Sequence, residues 1–144
     1  METLWKTNWD ETKRRFQNWW EGHGFLIGSW GAVKASRPHE DVGNPGPPDS
    51  LEQQWTDLDW RCRCARYDAA WKRWPLETLP LEDPWLGPGS MALYLGCEAK
   101  LQPGTVWYEP CIEDPDSFAR IHLNPENSWW RFQLDLIDAM VLAG

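Results

Sequence analysis

Two consecutive carboxylates, Glu82 and Asp83, open the turn-rich stretch Glu82-Asp83-Pro84-Trp85-Leu86-Gly87-Pro88-Gly89. Proline fixes its own φ, so an acid beside it is held in place. Such a carboxylate can act on a substrate proton or on a developing cation. The same pair also reads as two solvated acids in a turn. Trp30 and Trp85 bring broad aromatic faces that can wall an apolar pocket for a flat or methylated ligand, including by cation–π contact. Plain core packing is the alternative for both. Ser29 sits with Trp30 between Gly28 and Gly31, where the backbone can approach a ligand closely. Glu82 and Asp83 are therefore the candidate catalytic residues, and Ser29, Trp30 and Trp85 the candidate substrate-binding ones.

Metal chemistry has little support. Cys62 and Cys64 fall in a helical pattern, where an i,i+2 pair points to different sides and chelates poorly. Cys97, Cys111 and His122 are a conceivable zinc set, but their spacing matches no standard zinc module. No metal ligand is assigned. All four cysteines read as reduced thiols in a chain without a secretory signal. His23, His39 and His122 lie in loop-like stretches and read as surface residues.

Composition narrows the class. The 144 residues carry a net charge of −8, against binding to a phosphate backbone, which takes clustered Lys and Arg. Basic residues gather only at Lys13-Arg14-Arg15 and between positions 61 and 73, in helical patterns that read as solvated faces. The last helical pattern holds a purely apolar run only over residues 139–143, far short of the ~20 residues of a membrane span. The first residues are too polar for a signal sequence. The expectation is a cytoplasmic protein with a small-molecule substrate, no nucleic acid and no membrane. Thirteen tryptophans are too many to hide in one small core, so some are expected at a cleft or an interface.

The positioning elements read as follows. Asn8 and Glu11 make a capping-box pattern for a helix with Trp9, Phe16 and Trp19 or Trp20 on its apolar stripe, ended by Gly22-His23-Gly24. FLIGSW, residues 25–30, suits a short buried strand. Residues 37–50 form a long Pro/Gly loop. Ser50 and Gln53 signal a helix start, and the helical pattern runs to about Trp74 before Pro75. Residues 76–81 are a weaker second strand. Ser90 caps a short helix that stops at Gly96, Pro103-Gly104 fits a hairpin turn before a β-prone 105–108, and Asn124-Pro125-Glu126 opens a last helix with a wide apolar face. Alternating helices and strands predict an α/β fold.

The stretches WLGPGSMALYLGCEAKLQPGTVWYEPCIEDPDSF (residues 85–118) and LNPENSWWRFQLDLI (residues 123–137) resemble the uroporphyrinogen decarboxylase superfamily, in its divergent members. The marks are a loop and helix ending in Leu95-Gly96, an excursion after Cys97-Glu98, the Glu109-Pro110 pair and the Asn124-Pro125-Glu126 helix start. The resemblance implies that residues 1–144 are the N-terminal portion of a (β/α)8 TIM barrel, about two βα units plus an N-terminal helix and incomplete as it stands, where about 250 residues is typical. It implies tetrapyrrole decarboxylation, a lyase reaction, or cobalamin-dependent methyl transfer in the full-length protein, with little activity from this segment alone. It implies no cofactor in this segment, and zinc or a corrinoid in the full-length protein if it is methyltransferase-like. The barrel's active end would fall at Ser29-Trp30-Gly31 and at the loop of Glu82 and Asp83. The sequence departs from the haem-pathway enzyme after the first strand, where SWGAVKASR offers only Lys34 and Arg37 to a polycarboxylated tetrapyrrole.

Two further readings stand beside this one. One is a non-catalytic interaction subunit completed by the missing remainder of the barrel or by a second copy, as a homo-oligomer. The other is a Trp-rich ligand-binding module stacking on sugars, against which stands the helical spacing of Trp9, Trp19, Trp55 and Trp129.

Overall fold

A computed structural model describes residues 6–29, 31–114, 116 and 122–143. The chain divides into two compact units, residues 1–44 with 65–82 and residues 45–64 with 83–144.

The first unit holds helix α1 (Trp9–Trp20), strand β1 (Val33–Lys34), the later part of helix α3 (Leu58–Ala70) and strand β2 (Lys72–Arg73). The Asn8 side chain does not cap α1 as the capping-box pattern predicts; its amide donates to the Leu76 carbonyl at 3.1 Å instead. The glycine stop is made as read: Gly22 takes φ 82°, and the His23 N–H reaches the Asn18 carbonyl at 2.8 Å. Val33 pairs with Arg73 and Lys34 with Lys72, antiparallel. Ala35, Ala70 and Trp74 are buried.

Buried polar groups tie this unit together. The buried Lys6 donates to the carbonyls of Trp74 and Leu76, at 2.9 and 2.7 Å. Thr12 donates to the same Leu76 carbonyl at 3.3 Å. Leu76 has φ 52°, a left-handed backbone that costs a non-glycine residue on the order of 1 kcal/mol, and these converging donors hold it there. Glu77 follows, buried, with Arg15 Nε at 2.7 Å and the Ile27 N–H at 2.8 Å.

Those anchors explain why two predicted strands are absent. The 25–29 part of FLIGSW forms no strand: the Ile27 N–H donates to the Glu77 carboxylate and the Ser29 N–H to the Thr78 hydroxyl, both at 2.8 Å, and a backbone bond from the Glu77 N–H to the Ile27 carbonyl at 2.9 Å does not extend into a ladder. Phe25 and Ile27 are exposed. Residues 76–81 form no strand; the Thr78 N–H turns back on Pro75 at 3.1 Å.

The second unit begins with helix α2 (Leu51–Thr56), capped by Ser50, whose hydroxyl accepts the Gln53 N–H at 3.0 Å. The single helix read from Ser50 to Trp74 is two. Asp57 leaves the helical region with ψ 105° and its carboxylate accepts the Trp60 N–H at 2.9 Å, ending α2 and starting α3. Helix α4 (Ser90–Tyr94) stops at Gly96, φ 102°. Strands β3 (Ala99–Gln102) and β4 (Thr105–Tyr108) make the hairpin that Pro103-Gly104 predicts, with Ala99 opposite Tyr108 and Gln102 opposite Thr105. Helix α5 (Ser128–Ala143) starts later than Asn124-Pro125-Glu126 suggests. Asn124 makes a turn, and Asn127 is the cap, its Oδ1 accepting the N–H groups of Trp129 and Trp130 at 2.9 and 3.0 Å.

The core of this unit is Leu86, Leu93 and Tyr94, packed by Ala99, Tyr108, Trp129, Trp130 and Phe132. The Tyr108 ring lies so close to the 87–89 loop that a Cβ on Gly87 would stand 2.5 Å from its hydroxyl, and one on Gly89 2.7 Å from its ring. Those two glycines are there for close approach, and Gly87, at φ 92°, for its backbone too.

The fold class inferred from the sequence is therefore corrected. Among the described residues the strands form two antiparallel two-stranded sheets, β1 with β2 and β3 with β4. A TIM-barrel portion requires neighbouring parallel strands joined by helical crossovers, and none is formed among the described residues. The alternation of helical and β-like stretches is present in the sequence. The β-like stretches either pair in a local hairpin or make isolated bonds to side chains, turns and single backbone groups that build no ladder.

Candidate functional site

In the second unit the 83–89 loop, α2, the start of α3 and the hairpin build an aromatic platform. Trp55 is the floor. It is only 4% exposed, and its indole N–H donates to the Gln102 carbonyl at 2.9 Å. Trp85 leans against it, ring centroids 5.8 Å apart and planes inclined at 56°, but remains 41% exposed. Arg61 closes one edge. Its guanidinium lies 6.0 Å from the Trp55 ring centre and donates to the Trp85 carbonyl at 2.7 Å and the Trp55 carbonyl at 3.4 Å. Burial pulls the Arg61 pKa below its ordinary value, and nearby Cys62, Asp83 and Cys64 partly offset this. An arginine stays charged under such a shift. Asp83, exposed, contributes a long-range field at this cation.

This arrangement presents a partly exposed Trp85 ring, a guanidinium seated over Trp55 and bonded to the Trp85 carbonyl, and a carboxylate whose field reaches it. It suits a planar ligand with a peripheral anionic group, held by stacking and by the guanidinium. Trp85 and Asp83 were legible as candidates. Arg61 was not, because it reads as one charge in a solvated basic run and its carbonyl partners come from another element.

The remaining candidates lie in the first unit or outside the described residues. Trp30 is outside them. Ser29 is fully engaged: its N–H donates to the Thr78 hydroxyl at 2.8 Å, its own hydroxyl lies 3.1 Å from the same oxygen, and it also donates to the Gly31 carbonyl. That bonding secures the 25–29 segment. Glu82 accepts from Lys72 Nζ at 2.6 Å, with both side chains half-buried. Lys72 in turn lines an open cleft of about 550 Å³ with Lys34, Tyr67, Asp68 and Trp71. The departure SWGAVKASR thus places one of its two cations, Lys34, beside a second lysine and two aromatic rings. Arg37 is exposed and is not among the residues lining that cleft.

No group of three or more His, Cys, Asp or Glu among the described residues could hold a metal ion. No helix among them is long and apolar enough to cross a membrane. Comparison with family models, curated proteins and solved structures finds no match to this chain.

Proposed function

We propose that this chain serves a uroporphyrinogen decarboxylase-family protein whose reaction is decarboxylation or cobalamin-dependent methyl transfer, and that it is inactive alone. The observation that carries the reading is where the resembling stretches lie. The 85–96 loop and helix, the excursion after Cys97-Glu98, the Glu109-Pro110 exit and the helix after Asn124-Pro125-Glu126 all belong to the second unit. Core residues Leu86, Leu93, Tyr94, Tyr108 and Trp129 come from these same pieces. The chemistry at this chain is ligand contact: Trp85 stacks on a flat or methylated substrate, Arg61 holds an anionic edge, and Asp83 faces a cationic centre. Zinc or a corrinoid would be held by other residues of the full-length protein.

Of the two reactions, methyl transfer fits better. A tetrapyrrole with many carboxylates needs several bidentate arginines, and the platform supplies one, Arg61. Sequencing the full-length transcript tests the reading. The frame is expected to continue past Gly144 into further sequence of this superfamily, with His and Cys residues able to bind zinc. A stop codon there, followed by unrelated sequence, would overturn it.

A second reading, a non-catalytic interaction module, is favoured by one specific feature. Helix α5 leaves Leu134, Ile137, Val141 and Leu142 exposed on the side away from the buried Leu136.

A further inference from the structure

The hairpin of the second unit brings two cysteines together. Gly96, with φ 102°, ends α4 and turns the chain into β3, and the Cys97 N–H is fixed on the Ala92 carbonyl at 2.9 Å. The β3–β4 ladder runs outward from Gln102–Thr105 to Ala99–Tyr108. One more backbone bond, Glu109 N–H to the Glu98 carbonyl at 3.0 Å, extends it. Lys100 and Glu109 add an ion pair across the same strands. The register therefore sets Cys97 across from Pro110, with Cys111 next along the chain. The two sulfur atoms meet at 2.7 Å. Cys97 is half-buried and Cys111 exposed.

We propose that Cys97 and Cys111 are a redox-active dithiol that closes into a disulfide across the hairpin by exchange with a low-molecular-weight disulfide. The inference stands apart from the ligand chemistry assigned to Trp85 and Arg61. Three observations carry it: sulfur atoms already in contact, a hydrogen-bonded ladder that holds them so, and one thiol open to solvent. Cys62 and Cys64 do not share this arrangement, because they lie two residues apart on one helix.

The chemistry balances. The Cys111 thiolate attacks one sulfur of the incoming disulfide, forming a mixed disulfide and releasing one small thiolate. The Cys97 thiolate then attacks the Cys111 sulfur, forming the internal bond and releasing the second. The protein loses two protons and two electrons, and the small disulfide is reduced to two thiols. Burial and the hydrogen bond to Cys111 raise the Cys97 pKa above its ordinary value. Cys97 is thus the resolving thiol and exposed Cys111 the entering one.

Closing the ring from Cys97 to Cys111 removes freedom from the unfolded chain and fixes the outer end of the strands that carry Tyr108 into the core. The unfolding temperature should rise by about 5 °C or more on oxidation.

The test is to equilibrate the reduced chain with glutathione disulfide, alkylate the remaining thiols and map the products by mass spectrometry. Two alkylated cysteines, Cys62 and Cys64, and a peptide pair linked through Cys97 and Cys111 are expected. Cys97→Ser is expected to trap glutathione on Cys111, because nothing resolves it. Four alkylatable thiols after equilibration, or linkage of Cys97 or Cys111 to Cys62 or Cys64, would overturn the proposal. The first readout uses the unsubstituted chain, so it stands even if a variant misfolds.

Discussion

Tyr108 shows how much one side chain can organise in this protein. Its hydroxyl donates to the Leu86 carbonyl at 3.0 Å and accepts the Gly89 N–H at 3.2 Å, while its ring fills the space that Gly87 and Gly89 leave open. Tyr108→Phe keeps the ring and removes both bonds, so it should cost about 1–2 kcal/mol in urea unfolding at neutral pH. Burial pushes the Tyr108 pKa above 10, the Gly89 N–H opposes this and Tyr94 adds to it. The folded state therefore prefers the neutral phenol. With the folded pKa raised, this contribution is intact below about pH 10 and is lost as pH climbs through the folded value. The unsubstituted chain should lose stability above pH 10 more steeply than Tyr108→Phe, and the two curves should converge. Parallel curves would show that the phenol is not held neutral by the fold. Little of this was legible beforehand, since the Gly87-Pro88-Gly89 run announces a turn but not the ring that fills it. Trp85 and Asp83 stood out by type and loop position. Arg61 did not, because its role comes from carbonyl partners as distant in sequence as Trp85.

Element boundaries depend on caps, and the caps explain both what was legible and what was not. Ser50-x-x-Gln53, Gly22, Gly96 and Pro103-Gly104 act locally, and each does what its local chemistry dictates. Asp57 sits inside a continuous apolar pattern, so its cap on Trp60 divides a helix that periodicity alone runs together. At α5 the sequence offers two asparagines. Asn124-Pro125 looks the better start, but Asn127 wins because its amide also donates to the Leu93 carbonyl at 3.0 Å. A cap that is also a core bond is invisible to spacing. Asn127→Ala should then cost about 1–2 kcal/mol in urea unfolding, at the upper end for a cap because the Leu93 carbonyl loses its donor too. Asn124→Ala should cost distinctly less. Equal losses would mean that Asn124 caps α5 as the sequence suggests. The absent strands follow similar logic: FLIGSW has strand composition, yet the Ile27 N–H is taken by Glu77 and the Ser29 N–H by Thr78.

At the scale of the whole molecule, the tryptophan excess predicted surface that a small core cannot cover. Trp20 is 77% and Trp107 62% exposed. The α/β alternation misled because periodicity reports which face of a segment is apolar, not which segment pairs with which. The outer face of α5 is where the remaining question becomes quantitative. Fully burying a Leu, Ile or Val side chain contributes about 1.5–3 kcal/mol; Leu134 and Ile137 are already more than half covered, while Val141 and Leu142 are mostly open. Covering all four would contribute roughly 4–7 kcal/mol per copy, which the ~4–15 kcal/mol cost of association largely offsets. That is too little for a tight dimer of free chains. It is enough for a partner segment on the same polypeptide, where the effective concentration is itself about millimolar. Sedimentation equilibrium should therefore find this chain monomeric at about 10 μM, with weak self-association only near millimolar concentration. Ile137→Glu with Val141→Glu should abolish that association. It should leave the urea midpoint nearly unchanged, as exposed substitutions do, within about 0.5 kcal/mol. A tight dimer at micromolar concentration would make a second copy of this chain the partner of this face. Unfolding of the double variant would show that this face belongs to the core of the second unit.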